Sequence, residues 1–285
     1  ALIQNSTAPW AASVNVDCSK QDYALISSQG IPNHVMMNGI TATNLQVPTG
    51  QSFTGTRAWR IPLAPSIALS PTSVVDGPIG IAVNGVPIFN ALNNRGDDAL
   101  LAGELDDWGG HCGRADDYHY HIAPTHLQSI VGKKLPIAYA LDGFPIYGLT
   151  EINGAAVTKL DTCLGHDLKN GVGYHYHFTA KAPYSPMCYH GVVPIENNPE
   201  HQPAAAAGRK VGEPAKVQIT AMTFSLTGKS TLTFTYNGVT GSVSYTPTAS
   251  SDSSKQCWQF EYLNTPPGSP GTGSQPHPGA RSRLG

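Results

Sequence analysis

Two stretches, Tyr118-His119-Tyr120-His121 and Tyr174-His175-Tyr176-His177, carry the pattern with the clearest chemistry. On an extended strand side chains alternate, so His119 and His121 share one face while Tyr118 and Tyr120 share the other. The two imidazoles then stand roughly 7 Å apart at their α-carbons, a spacing from which both can converge on one metal ion at about 2.0 Å. His175 and His177 offer the same pair. Two histidines make an incomplete site, and each strand is preceded by a Gly-His that can complete it. His111 lies eight residues before His119, and His166 nine before His175, a distance at which a loop folds back over its strand. Asp106 and Asp161 stand five residues earlier still, as oxygen ligands or as acceptors that orient an imidazole. The expected metal set is therefore His111, His119, His121, His166, His175 and His177. Asp106, Asp161, Asp116, Asp117 and His126 are weaker candidates. Imidazole ligands suit Zn, Cu, Fe or Ni rather than Mg or Ca, and copper and zinc rank first for an exported protein.

Other chemistry-bearing residues are sparser. Asn33-His34-Val35-Met36-Met37 places a histidine and two thioethers within four residues, which suits Cu(I), although methionine is more often core filler. Cys112, directly after His111, reads as a thiolate ligand, a nucleophile or an unpaired thiol, the plainer reading being a disulfide partner. The five cysteines allow at most two internal disulfides. Cys163 and Cys188 flank the second Tyr-His strand, and a bridge there would clamp the His166 loop onto Met187–His190. Cys18 and Cys257 are a second candidate pair, tying the two ends together. No nucleophile elbow, Walker loop, dinucleotide fingerprint or zincin helix motif is present.

The elements that position these residues repeat. Ala82–Phe89 reads AVNGVPIF and Ala140–Tyr147 reads ALDGFPIY, 58 residues apart; the two Gly-His pairs are 55 apart and the two Tyr-His strands 56. Each unit is a hairpin, a loop ending in Gly-His, and a Tyr-His strand. The Asn-Gly and Asp-Gly dipeptides predict type I′ hairpin turns, and Pro87 and Pro145 predict edge or bulged strands. Two copies are too few for a solenoid, so a pseudo-twofold pair sharing one core is expected.

Composition frames these motifs. The 285 residues include 30 Gly and 23 Pro with only 13% charged residues, about half the roughly 25% usual for soluble domains. Long helices and coiled coils are disfavoured, and the fold class expected is mostly β, with few helices. A formal net charge of −2 argues against a duplex nucleic-acid partner, which needs clustered Lys and Arg. No apolar run is long enough to span a membrane, and the first residues lack the pattern of a signal peptide. Low Lys and Glu with scattered Cys suits an exported chain whose signal has been removed. Along the chain we expect N-terminal strands in residues 1–29, the duplicated domain in 30–193 with repeats at about 82–126 and 140–190, and a linker at 194–210. A hairpin region follows at 211–263, with strands around Asn237-Gly238 forming a small antiparallel sheet that packs on the N-terminal strands. The Pro-, Gly- and Ser-rich tail at 264–285 reads as disordered.

The motifs together resemble the exported, mostly bacterial proteins of the YHYH family. The resemblance rests on Asn84–Phe89, Trp108-Gly109-Gly110-His111-Cys112-Gly113-Arg114, Asp116–His121, Asp142–Gly148, the Asp161-x-Cys163-x-Gly165-His166 loop with Tyr174–His177, and Cys188-Tyr189-His190-Gly191. It covers roughly Gly30 to Gly191. It implies an extracytoplasmic location and a metal-binding role, without naming a substrate. Trp108, where the second copy has Cys163, implies that the two loops differ, one copy functional and the other structural. The function expected is an exported transition-metal-binding protein with one or two His-rich sites, either one per repeat or a single shared or binuclear one, and a small-molecule or metal ligand, an enzyme if a coordination position stays open. The competing readings are a non-catalytic cell-surface module with structural Tyr-His strands, and a thiol enzyme using Cys112.

Overall fold

Short apolar runs separated by Gly- and Pro-marked turns build strands rather than long helices, and strands dominate the computed structural model of the chain. It describes residues 2–20, 22–113, 115–169, 171–194, 213–250 and 256–269. Two short α-helices occur among them, α1 (Leu2–Thr7) and α2 (Thr125–Val131), and no helix is long and apolar enough to cross a membrane. The expected linker at 195–210 and the tail from 270 onward lie outside the described residues.

Strands β1 (Asn15–Asp17), β2 (Tyr23–Ser27) and β3 (Trp59–Pro62) form an antiparallel sheet. β4 (Ile67–Ser73) follows, largely exposed. The central sheet then takes β5 (Pro78–Ala82), β6 (Pro87–Phe89), β7 (Gly110–Cys112) and β8 (Tyr118–Tyr120). It continues with β9 (Ala138–Ala140), β10 (Pro145–Tyr147), β11 (Gly165–His166) and β12 (His175–His177). β13 (Cys188–Gly191) returns to pair with β4. The remaining strands, β14 (Gln218–Thr223), β15 (Ser230–Tyr236), β16 (Val239–Thr248) and β17 (Cys257–Leu263), form a four-stranded antiparallel sheet.

The central sheet runs in the order β11-β12-β10-β9-β5-β6-β8-β7. Outward from the β9–β5 pair, both directions meet a hairpin partner, then a parallel Tyr-His strand, then an antiparallel Gly-His strand. At the centre Ile81 pairs with Tyr139, its own counterpart 58 residues on, and Gly80 and Ala82 pair with Ala140 and Ala138. This is the register a twofold axis between β5 and β9 would produce. The interior is continuous across the sheets, and Tyr118, Tyr120, Tyr176 and Phe178 are among its largest fully buried side chains.

Several expectations are corrected. Residues 2–10 are helical rather than extended, anchored by Ser6 Oγ against the Tyr139 hydroxyl at 2.9 Å. Pro87 and Pro145 sit inside the sheet, not at an edge; each is the first residue of its strand, where a missing N–H breaks no ladder bond. The Asn84-Gly85 and Asp142-Gly143 turns have only the glycine at positive φ, so they are not type I′. That geometry appears instead at Asn237-Gly238, where both residues have positive φ between β15 and β16. The N-terminal strands pair with β3 and not with the C-terminal sheet, whose first strand bonds residues 39 and 40 through Ile219, with Ala215 ahead of it bonding Thr43. Cys18 and Cys257 are free, whereas Cys163 and Cys188 are bridged.

Candidate metal centres

A carboxylate clasp holds each Tyr-His strand. Asp106 Oδ1 accepts the N–H groups of Trp108 and Gly110 at 2.9 and 3.1 Å, while Oδ2 accepts the Tyr118 hydroxyl and the Met37 N–H, both at 2.8 Å. Asp161 repeats the pattern with Cys163 and Gly165 N–H at 2.8 and 3.0 Å and the Tyr174 hydroxyl at 2.7 Å. A Cβ on Gly110 would overlap the Tyr118 hydroxyl, and one on Gly165 the Tyr174 hydroxyl, so glycine before each loop histidine is a steric requirement. His111 then stands opposite His119, and His166 opposite His175. Directly opposed residues of an antiparallel pair share a face. Three imidazoles therefore meet on one side of each half-sheet.

In the second half, His166, His175 and His177 gather with Glu151, all buried, their ligand atoms within 4.8 Å of one another. Each Nδ1 meets a backbone carbonyl: Thr158 and Gly173 at 2.8 Å, Gly148 at 2.9 Å. A carbonyl only accepts, so each Nδ1 carries the proton and each Nε2 turns a lone pair inward. His166 Nε2 and His175 Nε2 are 3.2 Å apart. Glu151 Oε1 is 3.3 Å from His166 Nε2, and Oε2 is 3.8 and 3.7 Å from the Nε2 atoms of His175 and His177. A tetrahedral ion with bonds of about 2.0–2.1 Å has donor–donor edges of about 3.3–3.4 Å. Both Glu151 oxygens and His177 Nε2 are buried without a hydrogen-bond partner. Burial pushes His177 down to about 4 and also lowers His175.

The first half gathers His111, His119 and His121. His121 Nδ1 bonds the Asn90 carbonyl, His119 Nδ1 the Asp117 carbonyl at 3.1 Å, and His111 the Glu104 backbone. Asn90 and Asp117 hold the places that Gly148 and Gly173 hold in the other half. His121 Nε2 and His111 Nε2 face each other at 2.9 Å. Burial, reinforced by neighbouring histidines, drives His111 well below the usual imidazole range and His121 to about 3. With its Nδ1 on the Asn90 carbonyl, His121 turns an Nε2 lone pair toward His111 Nε2.

The weaker candidates fall outside both clusters. Asp106 and Asp161 serve the clasps and the tyrosines, and Asp161 Oδ2 also meets His190 Nδ1 at 3.0 Å. Asp117 Oδ2 lies 3.6 Å from His119 Nδ1, behind the ring rather than at its converging nitrogen. Burial raises its neighbour Asp116 to about 6. His34 Nε2 and His126 Nε2 reach the Tyr120 hydroxyl at 2.8 and 3.4 Å on the tyrosine side. Met36 and Met37 are core residues. Cys112 is fully buried with its thiol pushed well above its ordinary range, 3.7 Å from Met37 Sδ, which is the setting of an inert thiol and not of a nucleophile.

Glu151 is the member that motif reading misses. It lies 24 residues before His175, and the signal that finds it is the 58-residue offset carried past Tyr147, which aligns it with Asn93. The disulfide between Cys163 and Cys188 ties the loop carrying His166 to β13. No curated protein and no solved structure matches the chain. The family model for YHYH protein matches residues 58–159, which hold the first cluster and Glu151, and this match supports the chain's membership of the YHYH protein family.

Proposed function

We propose that the protein binds a transition-metal ion in each of the two histidine clusters, with copper or zinc the ions that suit imidazole-dominated sites. The observation that carries this reading is the convergence of buried Nε2 atoms, 2.9 Å apart in one cluster and 3.2 Å in the other, the second beside Glu151 oxygens and a His177 Nε2 that have no hydrogen-bond partner. Buried lone pairs in such contact need a cation, and the depressed basicity of His111, His121 and His177 makes a proton a poor one. When bound, such an ion supplies Lewis acidity, and copper adds one-electron chemistry. The chain's own part is to fix the tautomers through backbone carbonyls, to hold the rings through the strand pairing, and to exclude bulk water. Repetition of this carbonyl pattern in both halves supports a tandem duplication. The Cys163–Cys188 bridge supports an exported location, since disulfides persist in oxidising compartments.

The test is metal analysis of protein purified without added metal or a His tag. The His119→Ala/His121→Ala and His175→Ala/His177→Ala variants are each expected to lose one equivalent of ion. Absence of bound metal, with no uptake on titration with Cu or Zn salts, overturns the reading in favour of structural Tyr-His strands.

A further inference from the structure

Resting on that reading, we propose that the two centres differ in openness: the Glu151 centre is closed by four protein ligands, whereas the His111 centre keeps one position for a small exogenous ligand, preferentially an anion. The loops after β6 and β10 are the same structure. Leu92 bridges Asp98 as Thr150 bridges Ala156, and the Asn93 N–H bonds the Asp97 carbonyl at 2.9 Å as the Glu151 N–H bonds that of Ala155 at 3.0 Å. Asn93 and Glu151 therefore start from equivalent backbone positions.

Their side chains part there. Glu151 places both oxygens among three imidazoles. Asn93 is turned into its own loop, where Oδ1 accepts the N–H groups of Arg95 and Asp97 at 2.9 and 3.0 Å, and Nδ2 donates to Glu104 Oε1 at 3.3 Å. Arg95 lies in the same loop, its guanidinium paired with Glu104 and with Asp97 at 2.9 Å. Among the described residues no other His, Cys, Asp or Glu joins the three imidazoles, since Asp117 lies behind His119 and Asp106 serves the Tyr118 clasp.

Charge completes the argument. Three neutral imidazoles leave a divalent ion its full charge, so the remaining position favours an anion. With Glu151 present, that place and part of that charge are already taken. Four protein ligands are the pattern of structural sites, and three with one vacancy the pattern of sites that handle substrates.

Azide is the probe, and the cobalt(II)-loaded full-length protein is the sample. Cobalt uptake is measured first, two equivalents per chain being expected; failure to bind any overturns the metal reading itself and this proposal with it. Azide is then expected to bind with a stoichiometry of one per chain by calorimetry and to shift part of the visible cobalt spectrum. In Glu151→Ala the azide stoichiometry is expected to rise to two, with cobalt still bound at both centres. In His119→Ala/His121→Ala the spectrum is expected to ignore azide. Cobalt uptake without an azide response in the wild-type chain, or a wild-type stoichiometry of two, overturns the difference between the centres while leaving the metal reading intact.

Discussion

In the half of the central sheet that ends in β11 and β12, the clasp loop is tied by the Cys163–Cys188 bond. His190 stacks on Tyr174 at 4.8 Å, and its N–H donates to the Tyr176 hydroxyl at 2.7 Å. In the half that ends in β7 and β8, the position of Cys163 holds Trp108, 38% exposed and stacked on His34 at 4.7 Å, and the Tyr120 hydroxyl meets His34 and Asn84 instead. Asp142 and Glu151 in one half become Asn84 and Asn93 in the other. What the halves share is set by backbone: the carbonyls that fix the imidazoles, the clasp aspartates and the glycines beside the tyrosines. What distinguishes them is set by side chains, and it makes the second half covalently fixed, with a carboxylate among its imidazoles, while the first is held by stacked rings. Two halves that share a backbone frame but differ in side chains can keep one centre for stability and leave the other available for chemistry.

The largest effect expected from breaking this contrast is on stability. Replacing Cys163 and Cys188 by Ser opens a loop with a sequence separation of 25, for which the chain-entropy argument gives a loss of about 3 kcal/mol. Trp108→Ala removes a partly exposed ring and is expected to cost roughly 1–2 kcal/mol. Urea unfolding of the two variants measures both, and equal losses would mean that Trp108 substitutes fully for the covalent tie.

Next is metal affinity. Glu151→Gln keeps the shape of the second centre but removes its charge, and is expected to weaken Zn binding there by at least the 10–100-fold that loss of an outer partner costs. Asn93→Ala is expected to change the first centre no more than a few-fold. Competition with a chromophoric chelator, each centre isolated by the double histidine variants, reads the two values. A large loss in Asn93→Ala would make the loops functionally alike.

Which parts of this contrast could be read from residues alone follows from the range of the interactions. Strand alternation is local, so the division of His119 and His121 from Tyr118 and Tyr120 was legible, as were the Gly-His loops, the Cys163–Cys188 tie and the Asn237-Gly238 turn. The aspartates misled because their work is also local: Asp106 and Asp161 bond N–H groups two and four residues on, as Asp does in turns, and neither belongs to a histidine cluster. Glu151 was hidden because a whole loop separates it from its partners, so only the fold brings it to them. The helical start of the chain was hidden likewise, since its six-residue α1 depends on contact with Tyr139.

The tyrosine sides of the halves are expected to respond oppositely to acid. Burial holds His34 and His126 at about 4, below the ordinary 6.5, so the stability they contribute is complete above pH 6.5 and is lost as pH falls toward 4. Asp142 is raised by burial from 3.8 to about 6, so its contribution is complete below pH 3.8 and is lost as pH rises toward 6. Asp106 moves in the same direction as Asp142, so variants and not whole halves make the comparison. His34→Asn/His126→Gln is expected to flatten the acid destabilisation between pH 6.5 and 4, and Asp142→Asn to remove the opposing trend, each by roughly 1–2 kcal/mol after allowance for solvent screening. Unfolding free energies of metal-free protein across this range decide it; identical pH profiles for the two variants would erase the distinction.

The smallest contrast lies in the clasps. Tyr118 is fully buried and Asp106 nearly so, whereas Asp161 keeps 29% side-chain exposure and Tyr174 is only partly buried. Removing a hydroxyl from a buried carboxylate leaves an acceptor that water cannot reach, while the same deletion at a half-open site lets solvent replace the lost donor. Tyr118→Phe is therefore expected to cost about 1–2 kcal/mol and Tyr174→Phe less than about 1 kcal/mol. The Met37 N–H still binds Asp106 Oδ2 in the first variant, which limits the loss, and His190 still faces Asp161 in the second. Equal costs would show that the tyrosines act by packing their rings, and the clasp hydrogen bonds would then have to be credited to loop geometry alone.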